Sequence, residues 1–212
     1  MFLGVFFAAW TARIALIPWT DAAADQPSTV RLIADFWRLG IWLVLPLVWL
    51  LRFEAVDPRT AIDQRPGARP WLGIALGLCY LGAARIYDVA MGAPWIAIPA
   101  LPMPTLAASI VGIAFAALCE EFLFRGVLLK EFTRRYAFGR ANFLQAVLFV
   151  AIQWPAWLAL IEFDPATFAL LSGLALLYAA LLGAIVRQTG TIWVGFGVQA
   201  LGNALQGLGF GA

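Results

Sequence analysis

The chain has 212 residues, of which 63% are hydrophobic and only 12% charged, about half the charged share of soluble domains. That balance excludes a water-soluble globule, and a formal net charge of +2 carried by scattered basic residues gives nucleic acid no patch to bind. At about 20 residues per crossing plus short loops, the length accommodates a single integral membrane domain over residues 1–212. The expected fold is an all-α, polytopic transmembrane bundle of six to seven helices.

Seven apolar segments are expected, at residues 2–18, 36–52, 71–91, 105–129, 141–161, 166–186 and 191–210. The first carries Arg13 and precedes Ala22, Ala23 and Ala24, which fits a signal-peptidase site. It lacks the basic start of a signal peptide and is expected to stay as a helix. On the third, Gly73 and Gly77 have the GxxxG spacing of close helix packing. Between the third and fourth, residues 92–104 hold Pro94, Pro99, Pro102 and Pro104 and are expected to be extended or re-entrant. Trp10, Trp19, Trp37, Trp71, Trp95 and Trp193 fall near segment ends, where indoles anchor helices at the interface. Cys79 and Cys119 lie inside apolar segments with no metal or redox spacing and are expected to be small core residues.

Basic residues orient the segments. Arg52, Arg59, Arg65 and Arg69 follow the second, Lys130, Arg134, Arg135 and Arg140 the fourth, and Arg187 the sixth. The alternate loops, 19–35, 92–104 and 162–165, offer only Arg31 and carry Asp21, Asp25, Asp35, Glu162 and Asp164. The positive-inside rule therefore places the N-terminus in the cytoplasm and loop 162–165 on the far side.

Charges within an apolar helix cost about 2.5–3.5 kcal/mol each at the bilayer centre and call for a partner or a function. The fourth segment holds Glu120, Glu121 and Arg125. On an α-helix Glu121 and Arg125 are four apart with the acid first, the better order for an ion pair. Glu120 is turned about 100° from Glu121, which makes it a candidate for proton transfer; alternatively Arg125 bridges both acids and locks helices together. Arg85 and Asp88, three apart on the third helix, read as a simple pair. Gln145, Phe149 and Gln153 share one helix face, and Gln199, Asn203 and Gln206 another. Two amide faces beside a carboxylate helix point to a polar cavity.

These residues resemble a known family. Glu120-Glu121-Phe-Leu-Phe-Arg125 is similar to the EExxxR motif of the CAAX prenyl endopeptidase and bacteriocin-processing family, glutamic-type intramembrane endopeptidases. Phe149 to Gln153 falls where the family has FxxxH, and Gln199 to Asn203 where it has HxxxN. The resemblance covers a core of residues 105–206. It implies that Glu120 is the general base, with Glu121 beside it, that the residue at 153 helps activate a water, and that those at 199 and 203 stabilise the oxyanion. Both motif histidines are glutamine here, as the chain contains no histidine. An amide donates and accepts hydrogen bonds but carries no proton near neutral pH. Losing one positioned acid-base group costs about 10²- to 10⁴-fold in rate, and weakened oxyanion support adds to that.

No cofactor is expected. Glu120, Glu121 and amide oxygens suit a hard cation, but zinc without imidazole or thiolate is weakly held, and Cys119 points away from its neighbour Glu120. The expected function is that of a degenerate family site: a membrane protein that has lost ordinary proteolysis and acts as a binding, assembly or structural subunit. Its partners would be membrane lipid and a membrane protein or membrane-associated peptide, in a bacterial inner membrane. The alternative is an active endopeptidase that uses Glu120, with Gln153 and Gln199 in place of the histidines; a transporter is a third reading.

Overall fold

A computed structural model describes residues 4–12, 37, 40–49, 51–52, 62, 71–90, 103–160 and 164–207. Among the described residues the secondary structure is helical. Helix α1 covers residues 4–12, α2 runs Gly40–Trp49 with a π-helical first turn, Gly40–Val44, and α3 is Trp71–Ala90. Helix α4, Met103–Glu121, passes into a π-helical stretch, Phe122–Leu128, and then into α5, Leu129–Arg135. Phe138–Leu160 forms α6, Pro165–Thr189 forms α7 and Trp193–Gly207 forms α8. Helix α7 is long and apolar enough to cross a membrane by length and composition.

Local chemistry sets several boundaries. Pro104 falls in the first turn of α4, where a missing N–H costs no bond, so the helix starts at Met103 and two residues of the expected irregular stretch are helical. Asp164 caps α7. Its carboxylate accepts from the backbone N–H of Thr167 at 2.8 Å and of Ala166 at 3.4 Å, and from the Thr167 hydroxyl at 2.6 Å. The Thr167 hydroxyl and amide bonds hold the Asp164 pKa below its ordinary 3.8. At the other end, Gly190 adopts φ 74° and its N–H donates to Val186 at 2.7 Å, a left-handed cap that glycine adopts without the Cβ penalty. The chain then turns directly into α8, with Ile192 N–H donating to Ile62 at 3.1 Å.

The chain divides into two compact units, residues 1–61 with 123–184 and residues 62–122 with 185–212. The first has an aromatic core. Phe6 and Trp10 of α1 meet Trp42 of α2 edge-on, with ring centroids 5.5 and 4.9 Å away. Trp42 meets Phe124 at 6.2 Å, and Phe124 meets Phe149 at 5.1 Å. Trp10 also donates its indole N–H to Ile152 at 2.8 Å. Helices α6 and α7 run antiparallel, held by Asn142 to Ala180 near one end and by Trp154 to Ser172 near the other. In the second unit α8 packs on α3 and α4. Gly73 and Gly77 make that packing close: a Cβ at Gly73 would lie 2.5 Å from Val194 Cα and 2.7 Å from the Trp193 carbonyl, and one at Gly77 would lie 2.8 Å from the Gly197 carbonyl.

Apolar side chains also face outward. Leu170, Leu174, Leu177 and Leu181 form an exposed stripe on α7 at the four-three-four spacing of one helix face. Such a stripe is stable against acyl chains and costly in water.

Several expectations are corrected here. The segment expected as one α-helix over 105–129 widens to a π-helix from Phe122. Residues 130–140, which connect the expected fourth and fifth segments, are mostly helical, in α5 and the start of α6. Trp10 is core, 7% exposed, because α1 turns it inward onto Trp42. Trp37 and Trp71 are exposed. Cys79 is exposed and Cys119 buried; Cys79 shares the outward side of α3 with its neighbour Leu78. Trp19, Trp95, the side chains of Arg85, Asp88 and Gln206, and the loop stretches 19–35 and 92–102 lie outside the described residues.

Candidate functional site

Helix α4 ends on two adjacent buried carboxylates. Glu120 is 9% exposed and Glu121 fully buried, and the π-helical stretch begins at the next residue. A π-turn interrupts the regular ladder and is common where side chains are aimed for function. The two acids meet α8 in different ways. Gln199 donates an Nε2 hydrogen to Glu120 Oε2 in a buried hydrogen bond. Glu121 lies against Gly195, where an added Cβ would run into its carboxylate. Gly195 and Gln199 are one turn apart and so share a face of α8. That face offers an amide to one acid and a notch to the other.

Gln199 is itself buried, and its Oε1 has no hydrogen-bond partner. Asn203 lies one turn further along α8 and is half-buried. Of the residues singled out in the sequence, the structure thus brings Glu120 onto Gln199, seats Glu121 on α8, and puts Asn203 on the Gln199 face. Gln153 is half-buried on α6, in the other compact unit.

Arg125 leaves the π-helical stretch inside the first unit and is fully buried. Its guanidinium lies 4.8 Å from the Phe149 ring centroid, and Nη2 donates to the Ala179 carbonyl at 3.3 Å. The same carbonyl accepts from Gln145 Nε2 at 3.0 Å, and Gln145 also donates to Asn142 Oδ1 at 3.0 Å. Asn142 in turn reaches Ala180 at 2.9 Å. Gly183 makes room for this seam, since a Cβ there would strike the Asn142 amide. The guanidinium is therefore held by a π face and a carbonyl on α6 and α7.

Asn142, Gly183 and Gly195 were not singled out in the sequence. Each acts by touching a residue that was, and a glycine whose role is to leave space gives no chemical signal of its own. The one available clue was the run Gly195-Phe-Gly197 just before Gln199.

Residues 102–205 match the family described as Rce1-like, type II CAAX prenyl endopeptidase. No curated protein and no solved structure matches the chain.

Proposed function

Because its residues 102–205 belong to the Rce1-like type II CAAX prenyl endopeptidase family and the chain is thereby a CAAX-protease-like membrane protein, we propose that it has lost ordinary proteolysis and acts by binding a membrane-protein partner. The observation that carries this reading is the hydrogen bond from Gln199 to Glu120. The family resemblance assigns position 199 to an oxyanion donor and Glu120 to the general base. Here one of the two amide N–H groups is directed at the base itself. A carboxylate occupied in that way is a poorer acceptor for a water proton, and the amide has no proton of its own to exchange. What remains is a buried polar surface suited to hydrogen-bonding a helix or peptide, with the half-buried Asn203 one turn further along α8 as a further amide group.

The test is a comparison of variants in mild detergent. The wild type is expected to copurify with a stoichiometric membrane protein, and Glu120→Gln to keep it, because an amide fills the same space and joins the same network. The Gln153→His/Gln199→His variant is expected to gain cleavage of a reporter peptide that the wild type leaves intact. A Glu120→Gln protein that melts like the wild type yet loses all function would overturn this reading in favour of catalysis.

The proposal includes an orientation, with residues 130–140 cytoplasmic and Asp164 on the far side, in a bacterial inner membrane. It rests on the unequal distribution of basic residues. Single cysteines at positions 133 and 164, both exposed, are expected to label from opposite sides of sealed vesicles. Labelling of position 164 from the cytoplasmic side would reverse it.

A further inference from the structure

Helix α5 and the turn into α6 carry an arrangement of charge that neither the carboxylate site nor the Arg125 seam uses. Between residues 129 and 140 lie Lys130, Arg134, Arg135 and Arg140 against one acid, Glu131. The charges are layered. The Glu131 side chain is only 16% exposed and takes both neighbouring arginines, Arg134 Nη1 at 3.1 Å and Arg135 Nη2 at 2.7 Å. Those arginines are 57% and 68% exposed. The carboxylate thus sits beneath the guanidinium groups and orients them, and anything that approaches from outside meets cations first.

The apolar residues point the other way. Leu129 is buried and Phe132 half-buried, whereas residues 133–137 are exposed. Tyr136 ends the helix, its N–H donating to Phe132 at 2.8 Å, and lies exposed with the Arg140 guanidinium 4.7 Å from its ring centroid. An exposed tyrosine beside arginines at the start of an apolar helix is the side-chain set found at membrane–water boundaries. Helix α6, which starts here, turns Phe143, Val147, Trp154 and Leu158 outward, an apolar side that acyl chains cover.

We infer that the outward face of residues 130–140 is a docking surface for the phosphate groups of anionic lipids. Arginine donates in a planar fork that fits phosphate oxygens, and the Glu131 bridge and the Tyr136 ring hold three of these forks in place before a lipid arrives. The occupant is a lipid rather than a soluble anion because the cations lie in the plane where α6 begins its apolar run, so a headgroup reaches them with its chains beside the helix.

The full chain in nanodiscs of phosphatidylcholine with about a third phosphatidylglycerol is expected to melt about 5 °C higher than in phosphatidylcholine alone. The variant Arg134→Gln/Arg135→Gln/Arg140→Gln is expected to lose that difference while melting like the wild type in phosphatidylcholine. A measurement that needs no variant is the wild type in about 1 M NaCl, where screening shortens to about 3 Å and the lipid preference should fall away. Equal melting in both discs, or a preference that survives both the triple variant and the salt, would overturn the inference. So would an equal rise from inorganic phosphate in phosphatidylcholine discs, which assigns the surface to a soluble anion, or a triple variant that loses an acidic protein partner and no lipid preference.

Discussion

Gly73→Val is expected to lower stability by about 3 kcal/mol, the largest effect of any small substitution in the α3, α4 and α8 unit. Backbone meets backbone at this crossing: a Cβ at Gly73 would lie 2.5 Å from Val194 Cα, and one at Gly197 would lie 2.6 Å from the Gly73 carbonyl carbon. Neither neighbour is a side chain that can swing aside, so α8 as a whole must move away from α3. Gly195→Ala differs in kind, because it presses on the Glu121 carboxylate. Shortening the acid should relieve that pressure, and the double variant Glu121→Asp/Gly195→Ala is expected to melt above Gly195→Ala. Thermal unfolding of the three variants decides the point, and a Gly73→Val protein that melts like the wild type would contradict the close crossing.

Arg125→Met is expected to cost about 3–5 kcal/mol, the range seen when one member of a buried charge network is removed. The methionine fills most of the space but supplies no N–H for the Ala179 carbonyl and no cation for the Phe149 ring. Arg125→Lys should recover only part of the loss, since an ammonium is a point donor without the guanidinium plane. A melting temperature unchanged by Arg125→Met would mean that the guanidinium contributes nothing net to the fold.

The parts of the fold legible in the sequence are those fixed by local chemistry. Gly73 and Gly77 announce a close crossing, which appears as expected; the Asp164 cap and the Gly190 turn that bound α7 are equally local, although the sequence reading did not single them out. The Glu120 partner was legible only in part. Glu120 and Gln199 were each read as site residues, but their contact depends on how α8 docks, which no periodicity encodes. The reading failed where it assumed regular geometry. Treating 105–129 as one α-helix missed the π-helical widening from Phe122, which turns on tertiary packing that the local sequence does not display. Trp10 was misjudged for a related reason, since nearness to a segment end says nothing about which way an indole faces once α1 docks on α2.

The Trp10 and Trp42 indoles have ring centroids 4.9 Å apart and planes at 84°, and both rings are sealed from solvent. Two chromophores that close and that rigid share their excited states, and such coupling produces a paired positive and negative band in circular dichroism that vanishes once the rings separate. The N-terminal helix therefore carries its own optical gauge. Without any added label, the amplitude of that band measures how much of the population has α1 seated against α2, and its loss during heating or detergent exchange times the undocking of that helix separately from the melting of the rest.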